Sequence, residues 1–381
     1  MMNCTTLLLA ALLMLPVFPQ AAGAIPYFAR KYGVTCSQCH VSPPKLNAFG
    51  EAFIAAGYEN PGLRARRTWP FALWISGRSE SFVGIPDDVA DRLRAYMNRV
   101  ELISGGKAGA PWLSYFVEWR PLSVESRGNG TLRDRSGRFE DLFLTASRGA
   151  AELTAGQFRQ IGQVDVSRRL GLSEPLLLGA SLPGAAGGSS REVSLRGFAP
   201  AGRSPAVRAA WNEPVPGGWR WTTAAGLPVP GEFSIPLNEE AKAEASNEIE
   251  WRPKGLVLES FVRRGLASFG GHVFYDDSER YLANAIGTGN VRAFHWTGIA
   301  GMAKRAGILA GQWSVEGEYL PHSFIGLGGR VEDRAADGSG VAYLPYFNAH
   351  FPGTRYTIRL TVERRIQRGR NATFVELGTL F

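Results

Sequence analysis

From Trp69 to the C-terminus, apolar and polar positions alternate, and no helical period dominates. Leu113, Tyr115, Val117 and Trp119 form one apolar row beside Ser114, Glu118 and Arg120. Leu309, Trp313, Val315 and Tyr319 alternate with Gln312, Ser314, Glu316 and Glu318. Tyr356, Ile358, Leu360 and Val362 alternate with Arg355, Thr357, Arg359, Thr361 and Glu363. A period of two, with aromatics on one face and charges on the other, is the pattern of a strand with one apolar face. The charged face fits either the outside of a soluble β-protein or the lumen of a barrel whose apolar face meets lipid.

Three features point to lipid. Strands end on Trp or Tyr, as an aromatic girdle requires, and short turns alternate with long polar loops. The chain ends on Phe381, behind Val375, Leu377 and Thr379 in one alternating row. Strand starts near Pro70, Leu93, Pro111, Arg138, Ala151, Arg191, Pro205, Gly218, Ser246, Leu256, Ser268, Val291, Ile308, Val341, Thr354 and Asn371 make about sixteen, an even count that puts both chain ends on the periplasmic side. The turns Gly105 to Ala110, Arg305 to Gly307 and Phe351 to Gly353 then face the periplasm. Loops Pro121 to Gly137, Asp277 to Asn290 and Pro321 to Gly340 face outward. The stretch Leu227 to Ala245 falls on the wrong side for this rule, so the count is weakest between Gly162 and Pro253. Leu176 to Gly188 is apolar but broken by Pro183 and several glycines, and is not read as a transmembrane helix.

The first 68 residues differ. Residues 1–24 hold no charged side chain, and Leu7 to Phe18 is apolar apart from Pro16. Ala22-Gly23-Ala24 supplies small residues for cleavage, so this segment reads as a secretory signal. It is too short for a membrane span, which needs ~20 residues. Cys4 leaves with it, and the mature chain keeps only Cys36 and Cys39.

Cys36-Ser37-Gln38-Cys39-His40 has the C-x-x-C-H form of c-type haem attachment. Two thiols on one helical turn each reach a haem vinyl group, and the adjacent imidazole reaches the iron. A thioredoxin-like pair would want a βαβ setting, and zinc would want two further ligands; neither is nearby. Pro26 and Gly33 bound a short helix with Phe28 and Tyr32 on one face. Pro43 and Pro44 set up a second helix, with Leu46, Phe49 and Phe53 as its stripe, ending near Gly57. Arg30, Lys31 and Lys45 are candidates to pair with haem propionates or simply to meet solvent. The module, residues 25–62, is too small for an independent core, so it should dock on the barrel of residues 69–381. A sixteen-stranded barrel has an aqueous lumen wide enough for it as a plug. Met97, His272 and His295 are candidate second axial ligands; water or an open position is the alternative.

Composition refines this picture. The net charge is +8, and six of the 42 basic residues are Lys. Export leaves anionic lipid, an acidic partner or propionates as the counterparts of that charge, and makes nucleic acid a poor fit. The 46 glycines suit tightly turned all-β structure.

Ile25-Pro26-Tyr27-Phe28-Ala29-Arg30, Gly33, Cys36 to His40, Pro44, Leu46, Phe49-Gly50, Phe53 and Gly57-Tyr58 together resemble the fused outer-membrane monohaem cytochrome c–porins of iron-oxidising bacteria and their relatives. The resemblance implies one covalent haem c on Cys36 and Cys39 with His40 on its iron. It implies a role as an electron-transfer oxidoreductase, with one electron passing from an extracellular donor, Fe(II) in the best-known members, to a periplasmic cytochrome or other carrier. Tyr32, Glu51 and Ile54 depart from the family pattern and put the donor in question. Asp276, Asp277 and Glu279, or Glu332 and Asp333, are candidates to attract a cation at the loops. Two other readings stay open: a passive porin or solute channel with a structural or sensory haem, and a soluble periplasmic c-type cytochrome with a β-rich domain.

Overall fold

The structure, a computed structural model, describes residues 26–60, 62–66, 68–82, 95–126, 132–160, 169–173, 203–229, 231–239, 241, 253, 255–276, 281–305, 308–333, 340–352, 357–367 and 371–381. The expected signal segment and the strand starts at Arg191 and Ser246 lie outside the described residues, as does Leu176 to Gly188.

The N-terminal part is short-range structure. Helix α1 (Pro26–Tyr32) leads to the one-turn α2 (Cys36–Cys39), a ribbon of β1 (His40–Ser42) and β2 (Lys45–Leu46), and α3 (Ala48–Ala55). Gly33 ends α1 with φ +64°, a left-handed position that glycine takes without strain. Pro43 and Pro44 turn the β1–β2 ribbon and do not start the second helix. That helix starts five residues later than Pro43, where the Asn47 side chain accepts the Gly50 amide at 2.9 Å and caps it.

The rest is strand: β3 (Ala72–Phe82), β4 (Tyr96–Lys107), β5 (Leu113–Ser126), β6 (Leu132–Asp134), β7 (Arg138–Arg148), β8 (Ala151–Arg159), β9 (Arg203–Val215), β10 (Trp219–Pro228), β11 (Gly255–Arg264), β12 (Ala267–Asp276), β13 (Tyr281–Val291), β14 (Phe294–Arg305), β15 (Ile308–His322), β16 (Ile325–Asp333), β17 (Val341–Pro352), β18 (Thr357–Arg365) and β19 (Ala372–Leu380). All are antiparallel to their neighbours, and β19 pairs β3 from Ala372↔Phe82 to Leu380↔Trp74, closing the barrel. β6 is a three-residue ribbon on β5; the other sixteen strands form the wall.

The count of sixteen agrees with the alternation, but two members differ. β13 lies where the sequence reading had an outer loop, Asp277 to Asn290. β16 lies inside the expected loop Pro321 to Gly340. Both are rich in glycine, which blurs a period-two pattern. One end of the barrel carries the tight connections, including 149–150, 265–266, 292–293 and 323–324, together with Phe381. The other carries the long ones, 83–95, 160–202 and 229–254. The connection from β14 to β15, where Arg305 pairs with Ile308, lies at the long-loop end, opposite to the side expected. The described residues of Leu227 to Ala245, 227–229, 231–239 and 241, end β10 and follow it at the long-loop end, consistent with the rule the stretch had broken.

The apolar rows point outward. Leu309, Val315, Leu327, Leu377, Leu258 and Leu153 are each about half exposed. Trp112, Trp221, Phe294, Tyr319 and Phe381 ring the tight-turn end, and Tyr275, Trp313 and Tyr343 stand toward the other. An apolar band between two aromatic girdles is a lipid-facing surface, so the soluble β-rich alternative is overturned. Inside, charged rows pair: Arg78 with Glu376 at 2.7 Å, Arg120 with Glu140 at 2.8 Å, Arg203 with Asp141 at 3.1 Å and Arg330 with Glu332 at 3.0 Å.

Candidate functional site: a lumenal cavity beside Cys36, Cys39 and His40

The helical module sits inside the barrel at its tight-turn end. Phe28 stacks on Tyr58 at 5.7 Å between ring centres, and Tyr58 stacks on Phe116 of the wall at 5.1 Å. Tyr27, Tyr32, Phe53 and Ala72 complete this core, with Ile103 and Leu380 against it. Polar contacts fix the orientation. Lys45 pairs with Glu318 of β15, Arg263 of β11 donates to Glu51 at 2.9 Å, and Arg30 donates to the Phe71 carbonyl at 2.9 Å.

A second body enters from the long-loop end. Residues 169–173, in the connection between β8 and β9, reach the lumen. The Leu170 amide donates to Glu318 at 2.9 Å, and the Leu172 amide to Glu363 at 2.8 Å. Leu170 packs with Leu320, Tyr346 and Val41, so the two bodies meet. Both faces of Glu318 are thereby used, one toward Lys45 and one toward Leu170.

Between plug and wall lies a cavity of about 840 Å³, within the ~300–1,000 Å³ usual for cofactor sites. Cys36, Cys39 and His40 line it from the plug, with Phe28, Leu46 and Phe53. Trp74, Arg78, Arg99, His350, Arg359 and Leu380 line it from the barrel. The three motif residues therefore face one cavity. Both cysteines lie buried on the single turn of α2 and are not joined by a disulfide. Burial pushes the Cys39 thiol up to about 11, so it stays protonated at neutral pH.

The His40 ring is oriented by the backbone. Its Nδ1 lies 3.1 Å from the Pro44 carbonyl oxygen. A carbonyl only accepts, so Nδ1 carries the hydrogen and Nε2 keeps its lone pair. This is the orienting bond found behind metal-ligating imidazoles. Burial holds the ring at about 4, against smaller opposing contributions from the Pro44 and Lys45 backbone, so it is neutral at pH 7.

These observations test whether the residues fit a haem c. Two buried thiols on one turn, a neutral imidazole aimed by its far nitrogen, an apolar floor and a guanidinium-lined wall fit that group. The remaining expectations divide. Arg30, Lys31 and Lys45 do not line the cavity: Lys31 lies over the Tyr27 and Tyr32 rings, and the other two have the partners above. The cations that do line it, Arg78, Arg99 and Arg359, sit at inward positions of charged strand rows, a signal that needs the barrel to be interpreted. Met97 faces outward and is 47 % exposed. His272 pairs with Asn284 at 3.0 Å, and His295 lines a separate cavity of about 40 Å³ with Lys45 and Glu51. Sequence reasoning missed His350. Glu332 is fully buried in the lumen between Arg330 and Arg365, so it is not a loop charge. Asp333 ends β16, and Asp277 and Glu279 lie outside the described residues. Tyr32 joins the plug core, Glu51 takes Arg263, and Ile54 lines the cavity.

No family model and no curated protein matches the sequence. Among solved structures, OmpF of Salmonella typhi, in complex with daunomycin, is similar with a TM-score of 0.51 at 7 % identity, over 82 % of this chain and 97 % of that one. An anion-selective porin from Comamonas acidovorans gives a TM-score of 0.49 at 11 % identity, over 81 % and 98 %. The likeness to OmpF shows a porin-like fold. With the lipid-facing surface, it makes this chain an outer-membrane β-barrel.

Proposed function

We propose that the chain is an outer-membrane electron-transfer protein that carries one haem c on a plug inside its barrel. The observation that carries this reading is the meeting of Cys36, Cys39 and His40 at one wall of a cavity in the lumen. Cys36 and Cys39 would each add sulfur to one vinyl carbon and hydrogen to the other, leaving two thioethers. His40 would ligate the iron through Nε2, and Arg78, Arg99 and Arg359 would balance the propionates. The haem supplies a site that accepts and gives back one electron.

The chain's own residues do the rest. Phe28, Phe53 and Leu46 exclude water from that site. The plug core and the Lys45–Glu318 pair hold it within the lumen, at the tight-turn end. With that end toward the periplasm, one electron enters from a donor on the loop side, Fe(II) becoming Fe(III), and one leaves to a periplasmic carrier. Burial and axial ligation would set the potential.

A second reading, a passive channel with a structural or sensory haem, is favoured by one observation: the barrel's likeness to a porin. That likeness bears on the wall and supports a channel better than it supports electron transfer. Two measurements on the detergent-extracted protein separate the readings. A pyridine haemochrome assay is expected to give one haem c per chain. Anaerobic addition of Fe(II) to the oxidised protein is then expected to bring up the reduced c-type bands. If dithionite reduces the haem and Fe(II) does not, the iron-oxidase part fails. If no haem is found and the protein conducts ions as an open pore, the channel reading replaces this one.

A further inference from the structure

We propose that His350 of β17 is the second axial ligand of the haem held by Cys36, Cys39 and His40. The inference rests on the haem-bearing reading above and adds what the iron meets on its other side.

His350 occupies an inward position of β17, in the row of Ala342, Leu344, Tyr346 and Asn348. Its side chain is 1 % exposed, and neither Nδ1 nor Nε2 has a hydrogen-bond partner. A buried imidazole ordinarily satisfies at least one nitrogen, because an unpaired polar atom away from water is costly. An orphaned imidazole on the wall of a cavity therefore points to a missing partner in that cavity. The same cavity is lined by Cys36, Cys39 and His40.

Neighbouring groups do not take the role of that partner. Arg359, the register partner of His350 on β18, donates to the Leu170 carbonyl at 3.0 Å. The His350 backbone is pinned by the hydrogen bond its N–H donates to the Phe324 carbonyl oxygen at 2.8 Å, so the ring is presented from a rigid strand.

Elimination leads to the same residue. The chain has five histidines. His272 is bonded to Asn284, His295 belongs to the smaller cavity, and His322 packs on the Phe324 ring at the β15–β16 turn. Met97 and Met302 are both about half exposed on the outer face. Among the described residues, His350 is the one imidazole or thioether besides His40 that lines the motif's cavity.

Two consequences follow. Ligation by two imidazoles leaves the iron no open position, which suits electron transfer and disfavours binding of small molecules. Ligation also ties the plug, through His40 and the two thioethers, to the barrel wall through β17.

The test is the absorption and electron paramagnetic resonance of the full-length, detergent-solubilised protein, beside His350→Ala and His350→Met. The expected wild type is six-coordinate and low-spin when oxidised, and does not bind carbon monoxide when reduced. His350→Ala is expected to turn high-spin, to bind carbon monoxide, and to regain the low-spin spectrum with added imidazole. His350→Met should stay six-coordinate with a raised midpoint potential, since thioether ligation raises it. Heat-modifiable migration on gels verifies that each barrel is folded. A low-spin His350→Ala that refuses carbon monoxide overturns the assignment, and so does a high-spin wild type; in both cases the haem reading stands. A wild type without haem c bands sinks both.

Discussion

At the residue scale, the plug turns on a few contacts around Cys39. A Cβ added at Gly50 would lie 2.2 Å from the Cys39 carbonyl oxygen and 2.8 Å from a Leu46 methyl. The backbone of α2 cannot yield without moving both cysteines. Gly50→Ala is therefore expected to cost about 1–3 kcal/mol, as overpacking does, and to lower haem per barrel in a haemochrome assay. An unchanged haem content would show that α2 and α3 are less tightly joined than they look. Asn47 acts from both sides: its oxygen caps α3, and its amide donates to the Ser37 and Gln38 carbonyls at 3.0 and 3.1 Å. Asn47→Asp keeps the cap and loses the donors, while Asn47→Ala loses both. The alanine variant should lose about 1–2 kcal/mol of plug stability, with aspartate between it and wild type. The urea midpoint for protease cleavage of the plug reads this order, and equal midpoints for the two variants would mean that the cap contributes nothing.

At the scale of elements, the plug is held by Lys45 against Glu318, and Glu318 is nearly inaccessible to water. Removing one partner of a buried pair leaves an uncompensated charge, which costs more than the pair itself contributes. Lys45→Ala should expose the plug to protease, and Lys45→Ala with Glu318→Ala should recover part of the loss; a double variant no better than the single would remove the coupling. The same scale shows what the sequence could tell. The row ending in Tyr319 was legible because large apolar residues alternate with Glu316 and Glu318, and the row ending in Phe381 because Val375, Leu377 and Thr379 keep its period. β13 and β16 were not, because their glycines answer to neighbours. A Cβ at Gly289 would meet the Trp296 ring at 2.8 Å, and one at Gly328 would meet Tyr346 at 2.3 Å. Gly326 leaves room for Leu170. Those residues are small because a ring or a loop from elsewhere covers them, and that information is not local. The site divides in the same way. Cys36, Cys39 and His40 are contiguous and legible. His350 is not, because a lone histidine in an alternating row acquires meaning only when the barrel closes over the plug.

At the scale of the whole molecule, the question is whether the lumen conducts solute or holds a redox centre. A sixteen-stranded wall alone would leave an aqueous channel. Here residues 26–66 occupy it from the tight-turn end and residues 169–173 from the other, meeting where Val41 packs near Leu170. The β19–β3 ladder closes the wall without help from the plug, so a chain lacking residues 26–62 should still form the barrel. Its pore should then open. In planar bilayers the plug-deleted protein is expected to show conductance several-fold above that of the intact chain. Variants of the Lys45–Glu318 pair should flicker between the two levels, because they loosen the plug without removing it. The intact protein should pass little current whether or not it carries haem, since the plug's aromatic core rests on Phe116, Ile103 and Leu380 of the wall. If the intact and deleted chains conduct alike, solute moves past the plug through the cavity lined by Arg203, Arg208 and Arg220. The chain would then be a channel first, with the group at Cys36 and Cys39 beside the path.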